Sequence, residues 1–244
     1  MDWKDQFPKE NRYFETDNGI LYQCNCLETL GNFPDNSIDF IFTDPPYGTN
    51  DGKGKAIKRG SSIVDFCTIQ WDDTLPLDWI EFVYKIMKDD TWGVTFTDKN
   101  ATLMVWNKLE ECKLNPRNTF YWIKTNKAPT PRSNFKSCVE TAVVFTKGRT
   151  NQKWRGGGNQ NNFINLPFVS GREKVKHPTQ KPLKLIEHLL SFMTDENDVV
   201  LDPFAGSGTT AVACEKLNRK WIGIELNKEY CDIIVERLKK GVDI

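Results

Sequence analysis

The chain has 244 residues, 39% of them hydrophobic and 27% charged, a balance that excludes a fibrous or wholly disordered polypeptide and suits one or two domains able to fold without a disulfide or metal staple. Nothing approaches the run of about 18 apolar residues of a membrane span, and Asp2, Lys4, Asp5, Lys9 and Glu10 leave no apolar signal-peptide core at the start. The 33 basic residues equal the 33 acidic ones, yet they are segregated: residues 147–181 hold Lys147, Arg149, Lys153, Arg155, Arg172, Lys174, Lys176 and Lys181 against Glu173 alone, and residues 51–60 hold Lys53, Lys55, Lys58 and Arg59 against Asp51, which fits one polyanion-binding face or else two solvated loops.

In chain order, residues 1–18 are polar with scattered aromatics and read as an arm. Residues 20–24 and 38–43 read as strands, the second stopped by Asp-Pro-Pro. A long loop spans 48–73. Residues 76–87 read as a helix with Ile80, Val83, Tyr84 and Met87 on one face. A strand at 92–97, a helix at 101–112 and strands at 119–124 and 138–147 follow. Residues 151–171, with Gly156-Gly157-Gly158, lack periodicity and read as a loop or small insertion outside the core. Pro182 opens a helix striped by Leu185, Ile186, Leu189, Leu190 and Met193. A buried strand at 199–201, a Gly-rich turn, a helix at 209–217, a strand at 221–224 and a helix at 228–240 complete the chain. Strands alternating with helices predict an α/β fold with a mostly parallel sheet covered on both faces. The seven cysteines are scattered, as reduced core residues of a cytosolic protein would be, and Cys24 and Cys26 have no second pair to complete a zinc site. His177 and His188 read as structural rather than as metal ligands.

Two constellations carry chemistry. The first is Val199-Val200-Leu201-Asp202-Pro203-Phe204-Ala205-Gly206-Ser207-Gly208-Thr209-Thr210, a strand, turn and helix start. Gly206 and Gly208 permit a tight turn, and the helix N-terminus attracts an anion. Glu225, ending the next strand, can accept hydrogen bonds from both hydroxyls of a ribose. Taken alone the glycines also fit a dinucleotide fingerprint, but a second mononucleotide half has no place in the 19 residues after Glu225. The second constellation is Thr43-Asp44-Pro45-Pro46-Tyr47-Gly48, at the carboxyl end of a strand, where open α/β sheets bind ligands. An exocyclic amine of a nucleobase is a poor nucleophile because its lone pair is delocalised into the ring. Two acceptors, the Asp44 carboxylate and the Pro45 carbonyl on a stiff Pro-Pro unit, would pull that nitrogen toward tetrahedral geometry. Tyr47 would give the base a flat stacking face.

The pair "DPPYG" and "DPFAGSGTT", in this order with the basic segment between them, resembles the S-adenosylmethionine-dependent amino-methyltransferases of DNA. Specifically it resembles their β group, a circular permutation of the Rossmann-like methyltransferase fold. The likeness runs from about residue 19 to 240 and takes in "PDNSIDFIFTDPPYG", "FYWIKTN", "CVETAVVFTKG", "HPTQKPLKLIEHLL" and "WIGIELNKEYCDIIVERL". The resemblance implies that Asp202, Phe204, Gly206, Ser207, Gly208 and Thr209 line the methionine side of the cofactor, with Asp44 adjoining it. Glu225 would hold the ribose, and Thr179 and Lys181 would approach the methionine carboxylate. Where such enzymes often carry Gly-Asp, this chain has Cys24-Asn25, and the Asn25 amide oxygen would take the adenine contact. Asp44, Pro45, Pro46 and Tyr47 would form the catalytic tetrapeptide.

The resulting expectation is direct methyl transfer to N6 of adenine in a specific double-stranded DNA sequence, with the base flipped out and no covalent intermediate. N4 of cytosine is the nearest alternative; a silent DNA-binding protein on the same fold, an RNA-directed enzyme and a nicotinamide dehydrogenase are more distant ones. The implied domains are a catalytic unit from 19–147 and 177–244, an inserted target-recognition segment at 148–176, and a second DNA-facing loop at 49–73. Lys53, Lys55, Lys58, Arg59, Arg149, Lys153, Arg155, Arg172 and Lys174 would contact phosphate and groove edges. A homodimer, a cognate restriction endonuclease on a separate chain, and the cytoplasm of a bacterial or phage-infected cell complete the reading.

Overall fold

The computed structural model describes residues 2–47, 75–126, 137–149 and 154–240, and the backbone alone of 57–59 and 62–64. The elements, in chain order, are β1 (Arg12–Glu15), β2 (Gly19–Gln23), α1 (Cys26–Leu30), β3 (Ile38–Thr43), β4 (Ile57–Arg59), β5 (Ser62–Val64), α2 (Ile80–Ile86), β6 (Met87–Thr97), α3 (Thr102–Glu111), β7 (Asn115–Lys124), β8 (Val139–Lys147), β9 (Phe163–Leu166), α4 (Leu183–Met193), β10 (Val199–Asp202), α5 (Thr209–Lys216), β11 (Lys220–Glu225) and α6 (Lys228–Lys239). Among the described residues nine strands form one sheet in the order β1-β2-β11-β10-β3-β6-β8-β7-β9, and β4 and β5 pair separately. The centre of the sheet, β2-β11-β10-β3-β6, is parallel, while β1, β8 and β7 enter it antiparallel.

The strand order is the permuted one expected. β10 and β11, late in the sequence, sit between β2 and β3 from its first part. Leu201 stands beside Ile41 in the β10–β3 register, so Asp202 and Asp44 leave the sheet from neighbouring strand ends. Likewise Glu225 pairs with Gln23, which brings Asn25 beside it.

Hydrophobic patterning explains the layers. All six residues of β3 are buried because the strand has neighbours on both sides and helices on both faces. Phe40 and Phe42 join Leu185, Leu189, Leu190, Val212 and Ile234 of α4, α5 and α6 in one cluster. Ile41 joins Val83, Ile86, Val105 and Leu109 of α2 and α3 in the other. The only charged residue of β3, Asp39, is paid for by the Lys88 ammonium at 2.8 Å and the Val199 N–H at 3.0 Å. Leu190 is completely buried, so Leu190→Ala is expected to cost about 2–5 kcal/mol. A urea unfolding curve indistinguishable from wild type would remove α4 from the core.

Several expectations are corrected. Residues 1–18 do not form a free arm: residues 3–6 make a 3-10 turn and β1 is an edge strand of the main sheet. The Thr16 hydroxyl and the Asn18 amide both donate to Glu215 on α5, at 2.5 and 3.1 Å. α2 starts at Ile80 rather than 76 and ends before Met87, because Met87 pairs with Ile38 in the sheet. The aperiodic stretch 151–171 contains β9, which pairs in parallel with β7 and whose Leu166 carbonyl accepts from the Trp122 indole at 2.9 Å. Most of the predicted loop at 48–73 lies outside the described residues, apart from the β4–β5 hairpin. Cys24, Cys26, Cys112, Cys138, Cys214 and Cys231 are unbridged. No helix among the described residues is long and apolar enough to cross a membrane.

Candidate active site

The carboxyl ends of β2, β11, β10 and β3 open on a single cleft of about 690 Å³, within the roughly 300–1,000 Å³ range of small-molecule sites. Asn25, Asp44, Pro46, Thr179, Lys181, Asp202, Phe204, Gly206, Ser207, Thr209 and Glu225 all line it. Two clusters that lie far apart in sequence therefore meet as expected.

On one side of the cleft the turn after β10 is built around left-handed glycines, Gly206 at φ 50° and Gly208 at φ 72°. The Gly206 N–H donates to Glu225 Oε2 at 2.8 Å, and the Asn227 N–H donates to Oε1 at 2.8 Å. Glu225 thus shapes the turn while each oxygen keeps a lone pair for a ligand; burial pushes its carboxyl up from the usual range. A Cβ at Gly206 would stand 3.1 Å from His177 Nε2. The Asp202 carboxylate accepts from the Thr210 hydroxyl at 2.6 Å and the Phe204 N–H at 3.1 Å, and burial pushes its pKa up to about 7. Behind the turn the Arg237 guanidinium donates to the Ser207 carbonyl at 2.6 Å and to Thr209 Oγ1 at 3.1 Å. His177 packs edge-on against Tyr230 with ring centroids 4.6 Å apart. Burial, reinforced by Lys174, Lys181 and Arg237, drives its imidazole down to about 3, so it is neutral at physiological pH.

On the other side Asp44 follows β3. The Tyr47 hydroxyl donates to Asp44 Oδ1 at 2.5 Å, and the Lys181 ammonium donates to Oδ2. Lys181 is also 3.1 Å from Glu140 of β8, which in turn is 2.5 Å from Lys124 of β7. Burial raises the Asp44 carboxyl; the Lys181 cation opposes that rise and the Glu140 carboxylate adds to it. Lys181 is aimed by its own segment. The Glu173 carboxylate accepts the Leu183 N–H at 2.7 Å, and Gln180 bonds the Glu173 carbonyl and the Val175 N–H at 2.8 and 2.9 Å. Residues 173–183 thereby form a strap across the strand ends.

Some expected residues are placed differently. Gly208 does not face the cleft: its N–H donates to the Ala205 carbonyl at 2.7 Å, and its missing Cβ makes room for Ile234. Pro45 is buried, and Pro46 rather than Pro45 lines the cleft. The Tyr47 hydroxyl is turned onto Asp44, and its ring lies against the Lys181 ammonium at 5.7 Å. Lys181 does not offer a free cation to a ligand carboxylate, because a buried ammonium takes the two carboxylates nearest it. The Asn25 amide oxygen caps α1 by accepting the Leu27 N–H at 3.1 Å, leaving one lone pair toward the cleft. Of the basic residues, Arg149, Arg155, Arg172 and Lys174 are exposed. Arg155 is held by Asp195 at 2.6 Å, and the Lys174 ammonium bonds the His177 carbonyl, so both also serve the fold. Lys53, Lys55 and Lys153 lie outside the described residues, as do the side chains of Lys58 and Arg59. Glu140, Lys124 and Arg237 were not singled out from the sequence, and Trp79 read as core or stacking surface. The available signal for the first two was a charged residue inside otherwise apolar strand motifs.

A sequence model of the DNA methylase family matches residues 38–236. The chain belongs to the N6-adenine/N4-cytosine DNA amino-methyltransferases. It is 32% identical to the type II methyltransferase M2.MboI of Moraxella bovis over 92% of this chain and 90% of that protein. It is 30% identical to M2.LlaDCHI of Lactococcus lactis subsp. cremoris over 94% and 92%. Among solved structures, M1.HpyAVI in complex with SAM superposes with a TM-score of 0.70 at 31% identity, covering 89% of this chain and 98% of that one. The cytosine-N4-specific PvuII DNA methyltransferase shares the fold, with a TM-score of 0.73 at 24% identity over 94% and 89%.

The cofactor of the methyltransferase is S-adenosylmethionine, and the cleft fits it. Glu225 presents a two-oxygen acceptor, and Gly206 keeps the turn clear of side-chain bulk. The Trp79 indole N–H, on the cleft wall, is buried without an acceptor among the described residues. Ser207, Thr209 and Thr210 line the cleft at the positive end of α5, where a carboxylate is favoured. Bound S-adenosylmethionine supplies an electrophilic methyl group on a sulfonium centre. The residues around it would fix its position, exclude water and hold the nucleophile in line.

Proposed function

We propose that this methyltransferase acts on N6 of adenine in a specific double-stranded DNA sequence, and that Asp44 is the acceptor that activates the amine. The observation that carries this reading is the Asp44 carboxylate in the same cleft as Glu225, Gly206 and Ser207. It has two of its roughly four lone-pair sites still open after Tyr47 and Lys181 are counted. A carboxylate accepting one N–H, with the Pro45 carbonyl accepting the other, localises the nitrogen lone pair. The leaving proton then has a basic oxygen beside it. Asp rather than Ser before Pro-Pro-Tyr favours adenine by analogy.

The target amine lies inside the duplex, so the nucleotide is flipped into the cleft. Residues 148–176 act as the recognition segment, and the basic loop at 49–73 grips phosphate. Arg149, Arg155, Arg172 and Lys174 are the exposed described members of that basic set. Its type II relatives suggest a restriction–modification context, with the endonuclease on a separate chain, and a homodimer is compatible with this reading.

The test is incubation with isotopically labelled cofactor and unmodified DNA, digestion to nucleosides and mass spectrometry. N6-methyladenosine as the deoxynucleoside is expected; N4-methylcytosine would reassign the base, and no labelled nucleoside would sink the reading. In the same reading Glu225→Ala removes the ribose acceptor and releases the Gly206 N–H. Loss of charge-assisted bonds worth about 1.5–3 kcal/mol predicts cofactor affinity weaker by about 10–100-fold in calorimetric titration. Unchanged affinity would place the ribose elsewhere.

A further inference from the structure

The charged residues beneath Asp44 form an unbroken series through three strands and the strap: Asp44, Lys181, Glu140 and Lys124, alternating in sign. Glu140 and Lys124 come from the segments "CVETAVVFTKG" and "FYWIKTN", neither of which the cofactor site absorbs. Nothing in the strand packing requires charge there. Phe120 and Trp122 on β7 and Ala142, Val143 and Val144 on β8 are buried apolar residues. The Lys181 side chain is 5% exposed and the Glu140 side chain 22%, so neither gains much from water. A buried ion pair replaced by apolar residues is often neutral or stabilising, which makes stability a poor reason for this series.

We infer that Glu140 is a positioning residue for methyl transfer, acting through Lys181 to set how strongly Asp44 is held as a free, proton-accepting anion. The argument is one of shared charge and builds on the role given to Asp44 above. With Asp44 as its only partner, Lys181 would bind that carboxylate fully and compete with the target amine for its lone pairs. With no cation nearby, burial would keep Asp44 protonated, and a neutral acid does not accept both the hydrogen bond and the leaving proton. Glu140 divides the cation between two carboxylates, and Lys181 together with Lys124 keeps Glu140 itself ionised against the desolvation of its burial. The other groups facing Asp44 are the Tyr47 hydroxyl, from the loop after β3, and the Asp202 carboxylate, at the end of β10. Substitutions at 124 and 140 touch neither, whereas Lys181→Met also removes the ammonium that lies 3.3 Å from the Tyr47 hydroxyl. The inference is indifferent to whether the amine belongs to adenine or cytosine.

The charges predict signs. Glu140→Gln removes a like charge from the neighbourhood of Asp44 and leaves Lys181 to it alone. The acidic limb of the rate profile then moves to lower pH, by about one unit, and the plateau rate falls. Lys181→Met removes the opposite charge and leaves two carboxylates facing each other, so the limb moves to higher pH by at least as much. Lys124→Gln lets Glu140 draw Lys181 away from Asp44 and moves the limb up by less. The experiment is single-turnover methylation by the full chain at saturating DNA and cofactor across pH, with cofactor affinity measured at each pH.

Opposite displacements in Glu140→Gln and Lys181→Met support the inference. If Glu140→Gln fails to fold, the upward displacement in Lys124→Gln carries the same test. Slower rates with the limb unmoved, or moved the same way in Glu140→Gln and Lys181→Met, would overturn it and leave the series a structural one. Asp44→Asn separates the two levels: near-normal turnover in that variant would remove Asp44 from the chemistry, whereas its inactivity with an unmoved limb in the others would defeat only the role of Glu140.

Discussion

Asp44→Ala is expected to lower single-turnover methylation by about 10²–10⁴-fold, the range for losing a positioned acceptor and base, while cofactor affinity stays within the same order of magnitude. The geometry makes this a clean substitution. Asp44 bonds Tyr47 and Lys181, and when it is removed Lys181 keeps Glu140 as a counter-ion at 3.1 Å. No buried cation is left alone, so the fold should survive. The cofactor side is held by a separate set of bonds around Glu225, Gly206 and Asp202. Filter-binding of labelled cofactor alongside the methylation assay checks both halves. Loss of cofactor binding in parallel with activity would mean that Asp44 serves the cofactor rather than the amine.

Gly208→Ala is expected to damage the fold and the cofactor site together. The residue sits at φ 72°, and an added Cβ would lie 2.7 Å from Ile234 Cγ1. The left-handed penalty together with overpacking against α6 predicts a loss of about 2–4 kcal/mol, a large share of the roughly 5–15 kcal/mol that holds a domain together. The start of α5 must shift to relieve the clash, and with it Thr209 and Thr210 on the cleft wall, so cofactor affinity should fall too. Urea unfolding and calorimetric titration measure the two effects. Ile234→Ala in the same chain should recover the overpacking part but not the backbone part. A Gly208→Ala protein as stable as wild type would mean that the turn adopts another conformation.

The two glycines of one motif thus do different work. Gly206 and Gly208 were expected to serve the ligand alike, and a two-residue spacing in sequence cannot separate them. In three dimensions one faces the cleft and the other faces α6. The same limit applies to Lys181. Its place in "HPTQKP" put it near the methionine carboxylate of the cofactor, and it lines the cleft. Which carboxylates its ammonium meets depends on β3 and β8, more than thirty residues earlier in the chain. Glu140 and Lys124 were invisible as site residues for the same reason. A charge on a strand reads as a solvated position until the strand's neighbours are known. Arg155 and Lys174 looked like free phosphate contacts, but Asp195 and the His177 carbonyl stand within reach of them.

What the sequence determined by itself was everything that depends on local chemistry. Period-two and period-three-to-four patterning located most of the strands and helices, though not β1, α1, β4, β5 or β9, because burial of one face is written along the segment that is buried. β3 came out at residues 38–43 since Asp-Pro-Pro stops a strand by removing its next N–H donors. The order of the two motifs carried the permuted family resemblance. Tertiary structure alone decided adjacency. β10 beside β3 joins the two motifs in one cleft, β9 becomes a strand only because β7 has a free edge to pair with, and a lysine becomes half of an ion pair because a buried charge must take whichever opposite charge the fold brings nearest. Local preference is a property of a few consecutive residues, whereas desolvation and Coulomb attraction act between groups that only the folded chain makes neighbours.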